Sequence, residues 1–108
     1  MATTLFTIYQ NTYGTPILWT LYQSNGTTPY DLTGSTVTLY VWRDGNASNP
    51  IISGACAVYG DAANGQVTYT PTAADLISKG TFTAEFKALK SGAYTGFGQF
   101  QWEIKESP

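Results

Sequence analysis

The sequence predicts an all-β domain, an antiparallel β-sandwich of about seven short strands with one short helical turn. Three observations carry that reading. Apolar residues alternate with Thr, Tyr and other polar residues at period 2 over segment after segment, as they do when one face of a strand is buried. Turn formers interrupt the alternation about every 8 to 12 residues, the spacing of sandwich strands. Inward positions on most strands are aromatic or aliphatic, the bulk needed to fill a gap of about 10 Å between two sheets. The 108 residues read as one domain, 1–108, long enough to bury a core without a disulfide or a metal.

From Thr4 to Gln10, Phe6 and Ile8 alternate with Thr7 and Tyr9 in a short first strand that ends at Asn11. Asn11 to Pro16 is a loop, since Pro16 can open a strand but not sit inside a central one. Ile17, Trp19 and Leu21 then face one way with Thr20 and Tyr22 opposite, and Asn25-Gly26 closes this strand in a turn. Asp31-Leu32-Thr33-Gly34 is a further turn, because Asp bonds its own backbone locally and Gly takes positive φ without a Cβ clash. It leads into the strongest strand signal, in which Val37, Leu39 and Val41 form the core row and Thr36, Thr38, Tyr40 and Trp42 the opposite one. Arg43-Asp44-Gly45-Asn46 ends that strand in turn formers.

A weaker strand follows from Ile51 to Tyr59, with Gly54 as a candidate bulge, and Gly60 to Asn64 is a loop. Gly65 to Thr70 is a strand with Val67 and Tyr69 on one face, stopped by Pro71. Thr72 to Ile77 carries the helical signal, a Thr cap with Asp75 three residues on, closed by Lys79-Gly80. Phe82, Ala84 and Phe86 then face inward against Thr83, Glu85 and Lys87, and Lys90-Ser91-Gly92 is a hairpin turn. The last strand, from about Gly98 to Lys105, sets Phe100, Trp102 and Ile104 against Gln99, Gln101, Glu103 and Lys105.

Composition removes several functions. Charged residues make up 11%, the five basic ones are scattered, and the net charge is -2. Phosphate backbones need several cations on one surface, so nucleic acid is not an expected partner. No apolar run approaches the roughly 20 residues of a membrane helix, so no membrane partner is expected, and Met1-Ala2-Thr3-Thr4 lacks the charged and apolar regions of a signal peptide. The chain therefore reads as made in the cytoplasm of its producing cell and kept soluble. There is no histidine, which removes Ser-His and Cys-His nucleophile pairs and most zinc sites.

Carboxylates leave two openings. Glu85 and Glu103 would become neighbours if their strands pair, as glycoside hydrolysis requires, but Lys87 and Lys105 share their outward row and cross-strand ion pairing explains them better. Asp44 and Asp61 lie in turn-rich loops that a calcium ion could use, yet each is a lone carboxylate and fits a turn role. The one cysteine, Cys56, sits in the alternation of a strand and reads as a small buried apolar residue. Asn25-Gly26-Thr27 and Asn46-Ala47-Ser48 match the glycosylation pattern by chance in so Asn- and Thr-rich a chain. No catalytic residue, cofactor or metal is implied, and the chain is expected not to be an enzyme.

Tyr9, Tyr22, Tyr40 and Trp42 all fall on the row opposite the assigned core. Two accounts remain open. Either loops or the N-terminal segment cover one outer face, or these four residues form a docking or sugar-stacking surface, since Tyr and Trp are concentrated at interfaces.

The stretches TPILWTLYQSNGTTPYDLTGSTVTLYVWR, GQVTYTPTAADL and GTFTAEFKA, taken in order, resemble the N-terminal domain family of phage baseplate upper proteins. The residues that carry the match are Asp31, Leu32, Thr33, Gly34, Thr36, Val37, Gly65, Val67, Tyr69, Asp75, Gly80, Ala84, Glu85 and Phe86. It extends from about Ile8 to Ile104, and Phe82 stands where that family usually has Tyr. The resemblance implies an immunoglobulin-like sandwich used as a non-enzymatic building block of a tailed-phage virion, bound to other virion proteins in symmetric multiple copies. A baseplate adaptor would continue past Pro108 into further domains, so capsid decoration or cementing against the major capsid protein is the preferred expectation. A tail or baseplate component, or a carbohydrate-binding module that takes a surface glycan, is the alternative.

Overall fold

The computed structural model describes residues 5–23, 25–43 and 45–106. The period-2 segments build seven strands: β1 (Leu5–Tyr9), β2 (Ile17–Thr20), β3 (Thr36–Trp42), β4 (Ile52–Val58), β5 (Gln66–Tyr69), β6 (Gly80–Lys90) and β7 (Ala93–Lys105). They hydrogen-bond in the order β1-β7-β6-β3-β4-β5-β2. The ribbon folds over on itself at β4, where residues 52–56 pair with β3 while Ala57 and Val58 pair with β5. One layer is thus β1-β7-β6-β3-β4 and the other β4-β5-β2. Trp19 of β2 spans the space between them, reaching Phe6 of β1, Phe86 of β6 and Trp102 of β7.

The inward rows are those of the alternation. Val37, Leu39, Val41, Phe82, Ala84, Phe86, Trp102 and Ile104 are all buried. Removing such side chains from water is the main force holding the layers together, at about 25 cal/mol per Å² of apolar surface.

Four features differ from expectation. The sheet is mixed, because β1 runs parallel to β7, with Leu5 opposite Gln101 and Tyr9 opposite Lys105. Alternation assigns faces but not directions, and almost the whole chain lies between these two strands, enough for the crossover that a parallel pair needs. Two 3₁₀ turns are present, Ala62–Asn64 and Ala73–Leu76. Thr72 and Asp75 close the second in a capping box, as expected; Asp61 caps the first in what had read as a loop.

Gly54 is not a bulge. It pairs in register with Leu39, and its missing side chain makes room for Tyr69. The bulge lies instead in β7, where Glu85 faces Gln99 and Lys87 faces Gly96, so Phe97 and Gly98 together oppose Phe86. β7 begins at Ala93, directly after a two-residue turn in which Ser91 (φ 52°) and Gly92 (φ 82°) both take the left-handed conformation of a tight hairpin. The turn after β3 is closed by Asn46 N donating to Arg43 O at 2.8 Å; Asp44 and Met1 to Thr4 lie outside the described residues.

Candidate functional site

The strand order leaves β1 and β2 as the two sheet edges, and the layers do not close between them. The opening is a cleft of about 1140 Å³. Phe6, Trp19, Tyr22, Tyr30, Phe97 and Phe100 line it, and among the described residues no charged side chain does. The bulge shapes its rim. Before it Thr95 and Phe97 are the less exposed residues of β7, and after it half-buried Phe100 and buried Trp102 and Ile104 form the inward row, so the extra residue shifts that row by one and turns Phe97 toward Tyr30. Those two rings meet edge to face at 5.0 Å, and the Tyr30 hydroxyl lies 3.3 Å from Thr95 Oγ1.

A stretch of backbone edge beside the cleft has no strand partner among the described residues. Among the described residues, β1 pairs only with residues 101–105 of β7, leaving residues 93–100 bonded to β6 alone. Leu5 on β1 and Leu18 on β2 are about half exposed, at 52% and 49%. A free strand edge beside apolar side chains is the arrangement to which another extended segment adds.

The four aromatic residues singled out by the sequence do not form one surface. Tyr22 lines the cleft, while Tyr9 is exposed at the end of β1 and borders neither cleft nor groove. Tyr40 and Trp42 lie on the outer face of β3, in a smaller groove of about 590 Å³ with Glu85, Lys87, Tyr94 and Gln99. Trp42 is buried, at 8% exposure, beside Ala47, Ser48 and Pro50 of the following loop. Sequence reasoning placed Phe6, Trp19 and Phe100 correctly on the inward face, but did not find the opening they line.

The carboxylates are dispersed. Glu85 lies opposite Gln99 and Glu103 opposite Thr81, so the two are not cross-strand neighbours. Nor do they form the expected ion pairs: Thr7 Oγ1 donates to Glu103 at 3.1 Å, and Lys87 Nζ lies 5.7 Å from the Tyr40 ring centre. The ion pair among the described residues is Lys79–Glu106, exposed and worth little. Asp31 accepts from Thr33 Oγ1 and Thr33 N at 2.6 and 3.0 Å, which lowers its pKa and fixes the turn before β3. Cys56 is half-buried, and burial pushes its thiol up to about 12. A thiol held protonated is a poor nucleophile. No group of three or more His, Cys, Asp or Glu among the described residues is placed to hold a metal, and no described helix is long and apolar enough to cross a membrane.

The comparisons with known proteins agree with this geometry. Among solved structures, the N-terminal domain of phage TP901-1 ORF48 matches with a TM-score of 0.61 at 13% identity, covering 94% of this chain and 97% of that one. CopC from Methylosinus trichosporium OB3b gives a TM-score of 0.48 at 11% identity, covering 100% and 88%. At these identities the first likeness shows fold alone, and the second carries no argument. No curated protein matches the chain. The family model of the BppU N-terminal domain matches residues 21–107, from just after β2 to beyond the end of β7. The chain accordingly belongs to the BppU N-terminal domain family, the N-terminal domains of phage baseplate upper proteins, and is a structural domain of a phage virion.

Proposed function

We propose that the domain is a docking module of the phage tail, a non-enzymatic baseplate component that binds neighbouring virion subunits in symmetric multiple copies. The observation that carries this is an aromatic-lined cleft, uncharged and beside unpaired strand edges among the described residues, in a member of a baseplate family. A neighbouring subunit would add an extended segment along the free edge of β7 and seat apolar side chains between Phe6, Trp19 and Phe97. Backbone bonds would supply affinity and the aromatic pockets selectivity. Repetition by symmetry then multiplies a modest contact into a stable assembly.

The expectation of capsid decoration rested on the sequence ending at Pro108, which does not bear on where the domain sits on the particle. Family and cleft both favour the tail. The test is immunogold electron microscopy of phage particles from an infected-host lysate, with antibody raised against this chain. Gold at the tail tip is the expected result. Gold over the head would restore decoration of the capsid, and unlabelled particles beside free protein would remove the domain from the mature virion.

A further inference from the structure

We propose that the outer face of β3, β6 and β7 carries a binding groove for a neutral saccharide, which meets the docking cleft at Gln99. The register builds it. Tyr40 of β3, Glu85 of β6 and Gln99 of β7 stand side by side across three strands, with Thr38, Lys87 and Gly96 in the next row. Trp42 and Tyr94 add aromatic surface to the same groove of about 590 Å³, and the loop residues Ala47, Ser48 and Pro50 border it. Trp42 is buried, whereas Tyr94 is 66% exposed, free to serve as a platform.

Lys87 holds its ammonium over the Tyr40 ring, 5.7 Å from the ring centre. Glu85 and Lys87 are both half-buried, and among the described residues neither makes a hydrogen bond or an ion pair. They lie two residues apart on one face of β6, a separation of about 7 Å. That backbone spacing is about the span of one sugar ring with its hydroxyls. Gly96 sets the position of the carboxylate, because a Cβ there would come 2.5 Å from Glu85 Oε2. A carboxylate that accepts, an ammonium that donates and the Gln99 amide that does both match a ligand rich in hydroxyls. The two charges cancel, which selects a neutral ligand over a phosphate or an acid. Tyr94 supplies exposed aromatic surface for the apolar face of a pyranose, and few convergent polar groups over apolar walls is the usual make-up of a small-ligand site.

The test is amide NMR of the full chain titrated with neutral methyl pyranosides and N-acetylhexosamine disaccharides. The expected result is a saturable shift confined to residues 38–42, 85–87 and 94. Tyr94→Ala, at an exposed position, and Glu85→Gln should each weaken binding about tenfold or more while the rest of the amide spectrum stays unchanged. No saturable shift from any probe at millimolar concentration would overturn the proposal. So would shifts that map to the cleft between β1 and β2, or an affinity unaffected by both substitutions. None of these outcomes decides the tail-docking reading, which is tested by particle location.

Discussion

The ring of Tyr69 occupies the space that a side chain at Gly54 would need; a Cβ built on Gly54 falls against the ring edge. From there the Tyr69 hydroxyl donates to Asp75 Oδ2 at 2.5 Å, and the same oxygen accepts from Thr72 N at 3.0 Å. One side chain thereby joins β4, β5 and the second 3₁₀ turn. Gly54→Ala should cost about 1 to 3 kcal/mol, the usual penalty of overpacking. Urea unfolding would show it as a lower midpoint at unchanged slope. A wild-type midpoint would mean that Tyr69 swings away freely.

Tyr69 and Cys56 together set a limit at high pH. Burial first, then the hydrogen bond to Asp75 and its charge, raise the Tyr69 phenol; burial raises the Cys56 thiol from 9.0 to about 12. Both groups hold their protons more tightly when folded. Their stabilisation is therefore complete below the unfolded-state values and is lost as pH rises toward the folded ones. The urea midpoint should fall between pH 9.0 and about 12, and Cys56→Ala should flatten the earlier part of that fall. An identical decline in the variant would show that Cys56 does not titrate in this window.

The inward rows were legible because period 2 survives wherever a strand buries one face, as in Val37, Leu39 and Val41. The first half of β7 was not. Gly96 and Gly98 erase the alternation there, and the bulge moves the inward row from Thr95 and Phe97 to Phe100 and Trp102. The cleft was hidden for a different reason. Phe6, Trp19 and Phe100 follow the code of buried residues, and alternation reports which face a residue takes without reporting whether the facing layer covers it. Trp42 shows the converse: it sits on the outer row as expected, yet is buried beside the loop that follows β3.

That burial makes a prediction about stability. Trp42→Ala should destabilise the isolated domain by about 3 kcal/mol, near the lower end for removing a large buried aromatic, since the residue lies outside the main core. Tyr94→Ala, on the same outer face but exposed, should stay within about 0.5 kcal/mol of wild type. Thermal and urea melts of the two variants make the comparison. A fully stable Trp42→Ala domain would show that the loop covers the indole without holding the fold.

Docking through the cleft can be separated from folding at Leu5. This residue lines the cleft from β1, yet it is about half exposed in the free domain. Leu5→Lys should therefore leave the melting curve within about 0.5 kcal/mol of wild type. In a bound state, however, it would place an unpaired ammonium against Phe6 and its neighbours, and burying such a charge at an interface costs about 2 to 5 kcal/mol. Tyr59→Lys is the control, because Tyr59 is comparably exposed at 54% but does not line the cleft. When tagged wild-type and variant chains compete for assembly in an infected cell, purified particles should contain Tyr59→Lys at the wild-type level and little Leu5→Lys. Equal incorporation of both would show that the cleft is not where the virion holds this domain.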